Sequence, residues 1–476
     1  MSLRYFKTDL MWGSYMRQFF LISFVVSVLS ALAGAVPAAA ENNSFGFFAS
    51  SLQHYAQGSK RGDGTALPEK EKEEGRFRLS FMPNGFSVRS DTTEKIYDFK
   101  ARQLLFIDHE KQTYLLSSLY AVPAFKIYEK KNREMMAEVM QKAGLPEKAV
   151  GKFELEMIFG AEANSEIAGA ISFKTEDGKT GAYYKGEEVA SYQSSAQRLS
   201  AVQQELFRKY LAYEHALHPA IAAHIAAEST IFSSLSYRNK AFGPPYLVER
   251  QYSLTETQPA DGNAGRLPDS YKRIFAGDKR LNAVLELSQT AKQAVLADYL
   301  QLMEERLAAQ DYRGVALVFF EYSIHYGDKE GLSQLGPFLK KALQDAPESS
   351  SAREMLAAIR QTPKTKEEAV KAVAVLEKMR GENMTHGYVL NIFQANYEAA
   401  LGNGAKAIGL ILESLQQNPF LAGAYKDLGD KYLQSYRMMD AWACWDRMRE
   451  IAPHHGLTVP VNTFESQLRQ QFPEYF

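Results

Sequence analysis

The sequence predicts an α+β N-terminal domain with an antiparallel sheet, followed by an all-α helical-repeat solenoid. Three observations predict it. Between residues 41 and 255 apolar and polar residues alternate in short blocks separated by turn residues, and strands and helices come in runs, not in strict βαβ order. A stretch rich in Pro, Gly and Asp follows, from Thr255 to Ser270. From Leu281 onward the period-two pattern nearly vanishes, helical spacing replaces it, and a 34-residue period emerges. The 476 residues are 46% hydrophobic and 23% charged, which excludes wholesale disorder and a multi-span membrane protein. Fifty-five basic against 56 acidic residues leave a net charge of −1, so overall charge draws this chain to no nucleic acid.

Residues 1–40 read as a secretory signal peptide. Arg4, Lys7 and Arg17 precede an uncharged run from Phe19 to Val36, which decays through Gly34 and Pro37 into Ala38-Ala39-Ala40. A charged start, an apolar middle and a small-residue exit are the pattern a signal peptidase cuts. The cut is expected after Ala40, and the mature protein is expected to be periplasmic or secreted. Met16 offers a second start that would shorten the leader. The competing reading is an uncleaved anchor, because the uncharged run just reaches across a bilayer. Cys444 is the only cysteine. It cannot close an internal disulfide or build a thiolate cluster, and between Trp442 and Trp445 it reads as a small core residue.

The α+β domain is expected over residues 41–255. Phe77, Leu79 and Phe81 alternate with Arg78 and Ser80, Pro83-Asn84-Gly85 turns the chain, and Phe86 and Val88 resume the pattern. Further strands are expected at 96–99, 104–107 and 114–116. A helix should cover Phe125 to Ala143, stopped by Gly144 and Pro146. Strands return at Ile171–Phe173, after the Asp177-Gly178 turn at Ala182–Tyr184, and at Val189–Tyr192, with a last one near Tyr246–Tyr252. Glu187-Glu188 reads as part of a turn. Leu199, Val202, Leu206, Tyr210, Tyr213 and Leu217 form one helical stripe. The segment Gln57–Gly75, with its Glu69–Glu74 charge run, reads as a solvated loop. Residues 256–270 are expected to be a linker.

The helical part is expected over residues 271–476. Pro419 and Pro453, Ala407 and Ala441, and Ile411 and Trp445 each stand 34 residues apart. The last unit carries Tyr425, Leu428, Gly429, Tyr432, Ala441, Trp445 and Pro453. This unit resembles the tetratricopeptide repeat, with Met448 where that family carries Ala. The unit before it matches in its second half (Gly402, Ala407, Ile411, Pro419), and Asp311, Ala316 and Phe320 echo a second helix upstream. The resemblance implies stacked helical hairpins, since one hairpin cannot bury its apolar side alone. Asn462-Thr463-Phe464-Glu465 reads as a capping-box start of a terminal capping helix, with Phe464, Leu468 and Phe472 as its apolar stripe.

A search for chemistry finds no nucleophile elbow, phosphate-binding loop or zinc-protease helix. His215, His218 and His224 are the nearest thing to a metal set, but His218 stands before Pro219, which breaks a shared helix face. No catalytic residue, metal or cofactor is expected, and an enzyme with a histidine-bound metal remains the outlying alternative. The tetratricopeptide resemblance implies a protein or peptide partner in the groove lined by first helices. Mapped onto this sequence, the groove-facing residues are Asn396, Lys426 and Asp430. Asp430 departs from members that clamp a C-terminal carboxylate, because a second carboxylate would repel the first. The meander from Asp98 through Tyr114 resembles periplasmic half-barrel domains of the lipoprotein-carrier type, which implies a sheet curved around a helix and able to hold acyl chains. The expected function is therefore a non-enzymatic exported adaptor that binds another envelope protein. The alternative is a carrier of lipid or another apolar ligand, with lipid contact through the N-terminal domain.

Overall fold

A computed structural model describes residues 43–60, 65–142, 152–159, 165–240, 245–259, 267–360, 363, 365–382 and 385–476. The expected signal peptide, Gly62 and Gly64, the stop signals Gly144 and Pro146, and Asp261, Gly262 and Gly265 lie outside the described residues. Residues Glu41–Phe476 form one compact unit. Its N-terminal part is a 12-stranded sheet, and its C-terminal part is a run of paired helices.

The strands are β1 (Asn43–His54), β2 (Lys70–Met82), β3 (Gly85–Arg89), β4 (Thr93–Asp98), β5 (Gln103–Asp108), β6 (Thr113–Ser118), β7 (Ile171–Glu176), β8 (Lys179–Tyr184), β9 (Glu187–Arg198), β10 (Thr230–Lys240), β11 (Leu247–Pro259) and β12 (Lys272–Ile274). Their spatial order is β12-β6-β5-β4-β3-β2-β1-β11-β10-β9-β8-β7. Every pairing is antiparallel except β12 with β6. The expected meander is thus β2 to β6. Its first turn depends on Gly85, where a Cβ would lie 1.7 Å from the Tyr97 carbonyl oxygen of the neighbouring strand. The Asp177-Gly178 turn joins β7 to β8 with both residues at positive φ, as a two-residue hairpin requires.

Two expectations are corrected here. The charge run Lys70–Glu74 is not a loop: it is the start of β2, paired with His54–Ser50 of β1. Backbone pairing does not require an apolar face, and these side chains project into water at the end of a long ribbon. Glu187 and Glu188 begin β9, because the turn is Lys185-Gly186, again at positive φ.

Among the described residues five helices accompany the sheet: α1 (Ala121–Lys142), α2 (Lys152–Phe159), α3 (Glu166–Gly169), α4 (Ala201–Glu214) and α5 (Pro219–Ala227). Ser200 and Gln203 form a reciprocal capping box that starts α4. One face of the sheet (Phe45, Phe47, Leu79, Phe81, Phe86, Tyr97) packs on Leu206, Phe207, Tyr210 and Leu211 of α4 and on Ile221 and Ile225 of α5. Val202, expected in the α4 stripe, is exposed. It sits in the first turn, and the buried stripe swings instead through Phe207 and Leu211.

The remaining helices are α6 (Lys279–Thr290), α7 (Leu296–Ala308), α8 (Tyr312–His325), α9 (Lys329–Asp345), α10 (Ser351–Arg360), α11 (Lys366–Arg380), α12 (Val389–Ala400), α13 (Gly404–Gln417), α14 (Ala422–Gln434), α15 (Met438–Ile451) and α16 (Thr458–Gln471). Asp278, Asp311, Asp328 and Thr365 cap the starts of α6, α8, α9 and α11 with their side chains. Consecutive helices pair as α7/α8, α10/α11, α12/α13 and α14/α15. Helix α8 also meets α9, α10, α12 and α14, which explains why it is buried almost all round. Its Glu321 carboxylate hydrogen-bonds His386 and accepts from Asn418 Nδ2 at 2.7 Å and Tyr299 Oη at 3.3 Å. Burial pushes this carboxyl up, but the hydrogen bonds, led by His386, outweigh it and hold it below the usual range.

The terminal helix begins earlier than expected. Asn462-Thr463-Phe464-Glu465 lies inside α16, which starts at Thr458. Pro460 falls in its first turn, where a missing N–H costs nothing. Thr463 Oγ1 donates to Val459 O at 2.9 Å, and Glu465 accepts from Trp442 Nε1 at 3.0 Å, so neither acts as a cap. Phe464 still packs on Trp442 and Trp445, and Leu468 is buried. The chain closes with a 3₁₀ turn, Pro473–Tyr475, that places Tyr475 in the sheet's core. Tyr213 Oη donates to the Tyr475 carbonyl oxygen at 3.0 Å.

Candidate functional site

Helix α14 presents two faces. Tyr425, Leu428, Gly429 and Tyr432 are buried against α15. A Cβ on Gly429 would lie 2.4 Å from Trp445 Nε1 and 3.0 Å from the Ala441 carbonyl oxygen, so the two helices approach more closely than an alanine permits. The other face carries Lys426, Asp427, Asp430 and Lys431.

Lys426 Nζ donates to Asp430 one turn along the same helix. The lysine side chain is only 15% exposed. Burial pushes the Asp427 carboxyl up; Lys431 opposes that shift, and the Asn396 amide contributes in the same sense. Burial pushes the Lys431 ammonium down, against the pull of Asp427 and Asp430. Asn396 itself is exposed on α12, the first helix of the preceding pair. All three residues expected from the sequence therefore meet in one neighbourhood. Asp427 and Lys431 join them, and no repeat spacing marked those two: their place follows from the helix face and its burial.

The cluster holds two ammonium groups and two carboxylates, so its formal charge is zero. Lys426 already has a carboxylate partner in Asp430. What the face offers is a set of paired charges and an exposed amide. Such a surface exchanges internal hydrogen bonds for those of a polar backbone or side chain. Helix α1 of the same chain runs alongside. Tyr128 feels Asp430, which helps raise its hydroxyl pKa after burial, and Tyr436, just past α14, feels Glu129 and Arg133. Beyond Arg133, α1 exposes Met135, Met136 and Val139.

The three histidines go to three different partners. His215 is enclosed by Tyr210, Phe232, Tyr237 and Tyr252, and burial pushes its imidazole down to about 3. His218 has the extended backbone expected before a proline and caps α5 through Nδ1, while Nε2 meets Glu156 Oε2 at 2.8 Å. His224 stacks on Phe173 and meets Tyr192 Oη at 2.9 Å. Among the described residues no group of three or more His, Cys, Asp or Glu side chains is placed to hold a metal ion. Cys444 is fully buried, and burial pushes its thiol up. The cavity between α4, α5 and Tyr475 measures ≈ 90 Å³. Among the described residues no helix is long and apolar enough to cross a membrane. No protein-family model and no curated protein matches this chain.

Proposed function

We propose that this protein is exported and acts as a non-enzymatic adaptor, gripping another envelope protein or peptide through the first-helix face of α12 and α14. The observation that carries the reading is that two successive first helices contribute to one polar cluster, Asn396 from α12 and Lys426, Asp427 and Asp430 from α14. The close approach at Gly429 and Trp445 supports a likeness to the tetratricopeptide repeat, whose members bind extended segments on that side. The charged, apolar and small-residue succession over residues 1–40 supports export to the periplasm or beyond. Polar residues on the helix face give register, and the exposed Met135, Met136 and Val139 of α1 supply apolar area nearby. The reading needs no cofactor, metal or nucleic acid.

The test is site-specific photo-crosslinking in intact cells, with the reactive residue at position 396 or 430 and a control at the exposed Val370 of α11. The expected result is one discrete protein adduct from 396 and 430 and none from 370. Adducts of equal yield at all three positions, or none at 396 and 430, would remove this face as the gripping surface.

A further inference from the structure

A second site lies where the sheet edge meets the helices. A cavity of ≈ 400 Å³ opens between β5, β6 and β12 on one side and α6, α15 and α16 on the other. Four guanidinium groups line it. Arg102 comes from the turn before β5, Arg273 from β12, and Arg447 and Arg449 from α15. The short parallel pairing of β12 with β6, Arg273 opposite Tyr114, is what carries Arg273 to this edge.

Much of this donor capacity is unused. Among the described residues neither Arg102 nor Arg273 forms an ion pair; Arg273 instead lies over the Phe275 ring at 4.5 Å. Arg447 donates to Glu450 and to the Ser288 carbonyl oxygen, each at 2.8 Å, and Arg449 meets Asp446 and Glu465, each at 2.8 Å. The Nε atoms of Arg273, Arg447 and Arg449 are buried and have no hydrogen-bond partner. Ser117 Oγ and Tyr120 Oη line the same cavity, in residues 7% and 3% exposed; among the described residues Ser117 Oγ has no partner, and the only polar group that Tyr120 Oη feels as a donor is the Arg102 guanidinium beside it. Buried donors are rarely left in this state, because each forfeits its bond to water without replacement.

The charge balance has the same sense. Four guanidinium groups face three carboxylates, Asp446, Glu450 and Glu465. Asp446, whose side chain is 45% exposed, is held by Arg449 at 2.8 Å, and burial of its surroundings pushes its carboxyl up against that pairing. The cavity is a cationic chamber with spare N–H and O–H groups and an apolar patch at Leu116, Phe275 and Leu285.

We infer that this chamber binds a small soluble oxyanion, a phosphate or carboxylate group, held by Arg102 and Arg273 with Ser117 and Tyr120 completing its hydrogen bonds. Guanidinium forks match both oxyanions in geometry and charge, and the volume suits a metabolite-sized ligand. This goes beyond the adaptor reading and shares no residue with it.

The experiment is isothermal titration of the full chain with inorganic phosphate, sulfate or citrate, in a buffer free of oxyanions. The variants are Arg102→Gln and Arg273→Gln, with Arg238→Gln on β10 as control. Arg102 is exposed in a turn, so its variant keeps the fold if Arg273→Gln does not. Saturable binding of at least one anion at one per chain is expected. Losing a charge-assisted contact should weaken it about ten-fold or more in the first two variants and leave the control unchanged. Phosphate without citrate, or citrate without phosphate, identifies which group is held. No saturable binding of any of the three, or equal affinity in Arg102→Gln and wild type, would overturn the inference.

Discussion

Gly429 shows what a single missing methyl group does for this fold. Its hydrogen faces Trp445 across the α14/α15 seam, with the Ala441 carbonyl oxygen on the other side. Replacing it with alanine raises helix propensity by about 1 kcal/mol, yet forces the helices apart. We expect Gly429→Ala to lower stability by about 1–3 kcal/mol net, the cost of overpacking a close seam. Gly404→Ala, at the first residue of α13 with no atom within 4 Å of the new methyl, should be neutral or stabilising. Equal melting temperatures for the two variants would mean the seam is not tight. The Gly429 and Trp445 pairing was legible in the sequence because both fall at repeat-spaced positions. The arginines of the cavity were not, since Arg102, Arg273 and Arg447 are separated by long stretches of chain and follow no period.

At the scale of elements, the final 3₁₀ turn does more than end the chain. Tyr475 is 1% exposed, packs edge-on against Tyr213 at 5.3 Å and lies under Lys126 at 5.3 Å. The last residues of the helical part thus complete the core of the sheet. Tyr475→Ala should cost about 3–5 kcal/mol, as for other buried aromatics. Trp442 and Trp445 lie in α15 and the third tryptophan, Trp12, lies within residues 1–40, so in a chain without those residues tryptophan fluorescence reports on the helices, whereas far-UV circular dichroism reports on the whole chain. Urea midpoints from both probes should fall together in the variant. A fall in one with the other unmoved would show that the sheet and helices unfold independently. Sequence periodicity revealed α4, α14 and α15 well, because each has one buried stripe. It revealed the start of α16 poorly, because Asn462-Thr463-Phe464-Glu465 satisfies a capping pattern that the helix has already passed.

At the scale of the whole molecule, buried neutral histidines add to the response to acid, alongside carboxylates such as Glu321 that are held below their usual range. Burial pushes His215 down to about 3 and His325 to about 4. Both lie below the ordinary value near 6.5, so between those limits the unfolded chain binds more protons than the folded one. The stability that the neutral rings contribute is complete above pH 6.5 and is lost as pH falls toward 4 and then 3. His215→Phe keeps a ring among Tyr210, Phe232, Tyr237 and Tyr252 while removing one such group. Chemical denaturation from pH 7 to 3.5 should then show a shallower loss, by at most about 1.4 kcal/mol per pH unit. An unchanged slope would mean that His215 reaches water in the folded state.

The sequence by itself determined the order of architecture, a sheet and then paired helices, together with the hairpin turns at Gly85 and Gly178 and the seam at Gly429. Each is written in residues close together or at a fixed period, where local sterics and one-sided burial decide the outcome. Only the tertiary structure decided that β1 and β11 join at the middle of one sheet, that a charged run is a strand, and that Tyr475 closes a core begun at Phe45. It also decided that four arginines face one cavity. Those features rest on pairing and packing between residues far apart in the chain, and no local pattern encodes which distant surface a strand edge or a guanidinium will meet.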